Sequence, residues 1–248
     1  MSPDRSSGRS PLLPPLILAI GVAAGGLLVG YGLGRARTSD RFVTVKGISE
    51  REAQADLAIW PLNLSAASND LAAAHTQIET SISVIRRFLA RNQIDTAQMA
   101  RQDFRVTDAY TNQYGGAERV TSRYVIRQTI LVRSDKPQLV LAASQRVAEL
   151  VSSGVVLSSG EEYGTGGPTF VFTGLNNLKP EMIAEATGRA REAAEQFARD
   201  SRSTLGGIRR ANQGVFEILP RDQAPGISEA SQITKTVRVV STVEYFLR

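Results

Sequence analysis

Residues 120–133 read VTSRYVIRQTILVR, and the alternation within that run decides the fold class. Tyr124, Ile126, Ile130 and Val132 fall on one face of an extended chain, and Arg123, Arg127 and Arg133 fall on the other. One buried and one solvated face is the mark of an antiparallel sheet, since strands of parallel sheets are covered on both sides. Upstream, Phe104 to Tyr110 predicts a partner strand, joined through the turn-rich Asn112-Gln113-Tyr114-Gly115-Gly116.

Working outward toward the N-terminus, Leu71, Ala74, Ile78, Ile82, Ile85 and Leu89 recur at three- and four-residue steps. That spacing predicts an amphipathic helix to about Arg91, with Asn69 or Ser68 as its cap. Phe42 to Val45 reads as a short strand stopping at Gly47. Ala55 to Ser65 reads as a second strand with Asp56, Ala58, Trp60, Leu62 and Leu64 on one face, and Pro61 marks an edge or a bulge.

Toward the C-terminus, Pro137 opens a second helix whose inner stripe is Leu139, Ala143, Val147 and Leu150, ending at Gly154. Val155 to Leu157 and Thr169 to Phe172 are strand pieces separated by the loop 158–168. A third helix is predicted from near Pro180 to about Leu205, stopped by Gly206-Gly207, with Ile183, Ala186, Ala190, Ala194 and Phe197 inward. Val215 to Leu219 and Thr234 to Leu247 close the chain as strands. The order predicts an α+β fold of mostly antiparallel sheets, with about three long amphipathic helices packed on one face.

Ahead of this domain, Ser10 to Gly34 carries no charge and is bracketed by Arg9 and Arg35. As a helix the stretch would reach about 37 Å, against a hydrocarbon core of about 30 Å. It predicts a transmembrane helix over 11–34, a disordered tail over 1–10, a linker over 35–41 and one domain over 42–248. A cleavable leader shares the basic start and apolar core. The length of the run and the lack of an A-x-A site before Arg35 favour a retained anchor.

The chain holds 29 basic and 24 acidic residues, and five of the former and two of the latter lie in the first 41, leaving 24 against 22. A domain so balanced, without a dense Lys/Arg cluster, is a poor match for nucleic acid. There is no cysteine, so disulfides and thiolate metal sites are excluded.

His75 is the single histidine, and no residues at metal spacing accompany it, which makes it a structural residue. Glu161-Glu162 pairs two carboxylates in a glycine-rich loop, but adjacent side chains diverge and no Asp-rich calcium pattern surrounds them. Gly164-Thr165-Gly166-Gly167 has a phosphate cradle's glycines without a following Lys, and it leads into Pro168 and a strand. No G-x-S-x-G occurs. No catalytic, metal or cofactor residue is therefore assigned. The candidate interaction loops are Tyr114, Gly115 and Gly116 at the hairpin tip, and Glu161, Glu162 and Gly164. Exposed strand edges beside Pro61 or at the final strand are candidates for pairing between copies.

The entry Val45-x-Gly47, Glu50 and Asp56-x-Ala58 resembles that of the SIMPL-domain family, as does the link Arg91-Asn92-Gln93-Ile94-Asp95. Most specific is Ala186-Thr187-Gly188-Arg189-Ala190-Arg191-Glu192-Ala193-Ala194, continuing through Phe197-Ala198 to Leu205-Gly206. It is similar to the family's A-x-x-x-A-R-x-x-A helix followed by Leu-Gly and a strand. The departures are Ala55, where a proline often precedes the aspartate, and Gly188 inside the helix. The resemblance spans Phe42 to Leu247. It implies a bacterial envelope protein related to periplasmic immunogenic proteins, with an extracytoplasmic, often self-associating α+β domain and no established catalytic residues. The expectation is a non-enzymatic, single-pass inner-membrane protein with a periplasmic domain that forms homo-oligomers as a scaffold. An envelope ligand-binding module for glycan, peptide or lipid is the alternative.

Overall fold

The computed structural model describes residues 18–19, 21–30, 41–111, 121–158 and 167–248. Residues 21–30 are helical (α1) and exposed. The expected tail 1–10, the linker residues 35–40 and the rest of the 11–34 segment lie outside the described residues. Among the described residues no helix is long and apolar enough to cross a membrane.

From Arg41 onward the order is β1 (Phe42–Gln54), β2 (Leu57–Ser68), α2 (Leu71–Arg91), β3 (Met99–Asp108), β4 (Tyr124–Ser134), α3 (Pro137–Ser144) and α4 (Ala148–Ser152). There follow β5 (Thr169–Val171), α5 (Leu175–Asp200), β6 (Leu205–Gln213), β7 (Glu217–Pro220) and β8 (Thr234–Leu247). This is the α+β fold with antiparallel sheets that the strand pattern predicts. One sheet has the order β3-β4-β2-β5; in the other β1, β8 and β6 are neighbours and β7 also pairs with β8. The chain divides into two compact units, 49–184 with 215–239, and 1–48 with 185–214 and 240–248.

The larger unit is built on the β2–β4 ladder, which runs from Ala58 opposite Ser134 to Ser68 opposite Tyr124. Trp60, Leu62, Leu64, Ile126, Ile130 and Val132 face one way and are buried with Ile78, Ile82, Ile85, Phe88 and Leu89 of α2. The cap of α2 is Asp70, whose carboxylate accepts from Ala72 N at 2.8 Å, rather than the expected Asn69 or Ser68. Those two are engaged otherwise: Ser68 Oγ accepts from Asp70 N, and Asn69 Oδ1 accepts from Arg123 N.

Pro61 sits on an interior strand, not an edge strand, but where the side facing away from β4 is locally unpaired among the described residues. Asn63 O accepts from Ser158 N at 2.9 Å and Ser65 N donates to Val156 O at 3.1 Å, so odd-numbered residues of β2 point their backbone groups away from β4. On that side β5 pairs only with Leu57 to Ile59, and Pro61 falls in the gap where no ladder bond is lost.

The expected second helix is broken into α3 and α4 between Ser144 and Ala148. The third is longer at its start, with Pro180 inside it, and ends at Asp200, before the glycine pair. Gly206 and Gly207 instead belong to β6, a strand the sequence pattern does not mark.

In the smaller unit β1 continues through Gly47, where a stop was expected. A Cβ at Gly47 would fall inside the envelope of Ala186 O and Ala190 N, so only glycine lets the α5 backbone lie on the strand. The alanine stripe serves the same close approach: Ala190 and Ala194 pack on Val43, Val243 and Tyr245. The helices therefore do not all cover one face of one sheet, because α2 to α4 belong to the larger unit and this part of α5 to the smaller.

Candidate functional site

Within the larger unit, β3 is an outer strand: it pairs with β4 on one side and, among the described residues, has no sheet neighbour on the other. Residues Ala100 to Val106 are all exposed or nearly so, among them Phe104 and Val106. The ladder shifts between Gln102 and Arg105, and Asp103 adopts a positive φ of 52°. This bulge frees Gln102 O, which accepts from the buried Gln128 Nε2 at 2.7 Å. Gln128 thus has a reason to interrupt the apolar face of β4.

Two charged clusters bracket the exposed apolar residues. At one end Arg101 donates to Glu79 of α2 through both Nη atoms, at 2.6 and 3.0 Å. That bidentate pair, the largest effect on the group, holds the Glu79 carboxyl below its ordinary range. His75 lies one turn earlier, with Nε2 4.0 Å from Glu79 Oε1 and its ring edge-on to Phe104 at 6.5 Å. These contacts make His75 a packing residue of the α2–β3 surface.

At the other end, near Asp108 and Tyr124, Arg123 is the organising residue. Its Nε and Nη2 donate to Asp108 Oδ2 at 3.2 and 3.1 Å. Its guanidinium lies 4.8 Å from the Tyr124 ring centroid and 5.5 Å from that of Tyr110. Asp108 Oδ1 also accepts from Tyr110 N at 3.0 Å, closing the 3₁₀ turn Ala109–Thr111. The hydrogen bonds from Arg123 push the Asp108 carboxyl down, and Asp108 in turn pushes Arg123 up.

Tyr114, Gly115, Gly116, Glu161, Glu162 and Gly164 lie outside the described residues. Trp60 is buried in the core, whereas Tyr110 is exposed and belongs to the arginine cluster. Among the described residues no group of three or more His, Asp or Glu side chains could hold a metal ion. The surface presents an outer backbone edge, two exposed apolar side chains and a guanidinium close to two phenol rings, features suited to recognition. Sequence reasoning places strand edges elsewhere, at Pro61 and the last strand. The signal for β3 was present in Arg101, Asp103 and Arg105, since charges along a strand are how open edges are kept from indiscriminate pairing.

A family model described as "SIMPL: Protein of unknown function (DUF541)" matches residues 43–245. No curated protein matches the chain.

Proposed function

The chain belongs to the SIMPL family, and on that premise we propose that it is a non-enzymatic, membrane-anchored envelope protein whose periplasmic domain self-associates as a scaffold or interaction module. The anchor is residues 11–34, the partners are copies of this chain, and nucleic acid is not among them. The observation that supports the reading is the edge of β3 that no strand among the described residues pairs with, beside the exposed Phe104 and Val106.

Light scattering on a chain starting at residue 41 tests it across a wide concentration range. A discrete multiple of the protomer mass is expected, and Val106→Lys, which places a charge on the edge, is expected to reduce it to the monomer. A wild-type chain that is monomeric throughout refutes self-association.

A second reading is favoured by Tyr110, Arg123 and Tyr124, whose rings and guanidinium suit an envelope ligand such as a glycan, peptide or lipid headgroup. It predicts a ligand-dependent rise in melting temperature that is lost in Tyr110→Ala.

A further inference from the structure

The smaller unit has one end where the sequence brings basic residues together from three distant places. Leu247 N donates to Arg41 O at 2.8 Å, and Arg248 N donates to Thr204 O at 2.9 Å. Arg202 N donates to Arg199 O at 3.1 Å and Ser201 N to Phe197 O at 3.0 Å, closing the C-terminus of α5. Arg41, Arg199, Arg202 and Arg248 are thereby gathered at one pole, all exposed, with the acidic Asp200 beside them. Two aromatic residues are exposed at the same pole: Phe42, lying under the Arg209 guanidinium at 4.0 Å, and Phe197.

The chain leaves this pole at Arg41 and reaches the uncharged segment at Gly34 seven residues earlier. Fully extended, seven residues span at most about 25 Å. An anchor in 11–34 therefore holds this pole close to the bilayer surface, where arginines and exposed phenylalanines are the side chains that phosphates and the interfacial region favour. Arg35 and Arg37 lie within the same seven residues and outweigh the single Asp40 there.

We propose that this pole docks on anionic phospholipid, with Arg41, Arg199, Arg202 and Arg248 meeting headgroup phosphates and Phe42 and Phe197 entering the interface. The length argument rests on the anchor reading; the charge argument does not. The backbone bonds at these positions survive exchange of the side chains, so Arg41, Arg202 and Arg248 can be replaced together by Gln without removing a pairing of the fold.

The test uses the full chain with vesicles of phosphatidylcholine alone or mixed with phosphatidylglycerol. The chain has no cysteine, so Thr204→Cys carries a single fluorophore at the pole, read against a quencher on the lipid headgroups. Flotation with neutral vesicles reports the anchor; quenching reports the pole. Quenching is expected with phosphatidylglycerol, reversed by high salt, and weakened about fivefold for each arginine exchanged. Equal quenching on neutral and anionic vesicles, or no change in the triple Gln variant, overturns the proposal. A chain that fails to float with neutral vesicles but binds anionic ones through these arginines refutes the anchor and upholds the pole. A chain that binds neither refutes both.

Discussion

Lys235 is fully buried on β8, its ammonium paired with the Glu229 carboxylate and donating to Glu229 O at 2.7 Å. Glu229 is partly exposed, so the two partners are not equivalent. Glu229→Ala leaves a buried cation with one carbonyl and is expected to cost about 3 kcal/mol, whereas Lys235→Met keeps the volume, leaves a carboxylate that water can reach, and is expected to cost under about 1 kcal/mol. Urea midpoints of the two variants check the asymmetry. At the surface, the Asp108 carboxyl is depressed in the folded state by Arg123, so its contribution to stability is present above the unfolded carboxyl range and lost as pH falls through the folded value. Arg123→Gln is expected to raise the Asp108 midpoint toward the ordinary carboxylate range, read from its carboxyl carbon by NMR. Neither pair can be read from sequence order. Asp108 and Arg123 lie 15 positions apart across a hairpin, and Lys235 looks like any polar residue of an alternating strand.

Among the elements, the β1–α5 contact of the smaller unit depends on the absence of a side chain at Gly47. Gly47→Ala is expected to cost about 3 kcal/mol or more, since the atoms it would strike are helix backbone, which cannot turn aside. Gly207→Ala has open space and is expected to stay within about 0.5 kcal/mol, and thermal melts of the two compare them directly. The elements legible from sequence are those whose own packing writes a period: α2, β2, β4 and β8 each bury one stripe against a core. Those missed carry no such stripe. Ile208 to Gln213 of β6 is exposed on both faces, so nothing alternates, and its place in the sheet comes from β8. Gly47 and Gly206-Gly207 looked like stops because glycine ends elements more often than it permits a close approach. The β3 bulge was hidden for the same reason, since its stabilising partner, Gln128, lies on another strand.

For the chain as a whole, the two units hold cores of different character. Trp60, Phe88, Phe170 and the isoleucines of the larger unit bury large side chains, while the smaller relies on alanine, valine and Tyr245. Hydrogen exchange is expected to find the slowest amides in β2, β4 and α2, with β6 opening at lower free energy. The intact mass of the mature protein is expected to match the full chain, whereas a loss of roughly 3 kDa would mean that the apolar segment is a removed leader. The bulge in β3 bears on how copies could join. It splits the strand into Met99 to Gln102 and Arg105 to Asp108, so no incoming strand can hydrogen-bond along more than four residues before its register is broken. Fibril growth needs long, flat, repeating ladders. An edge interrupted this way offers only short ladders to an added strand, which disfavours stacking that grows without limit.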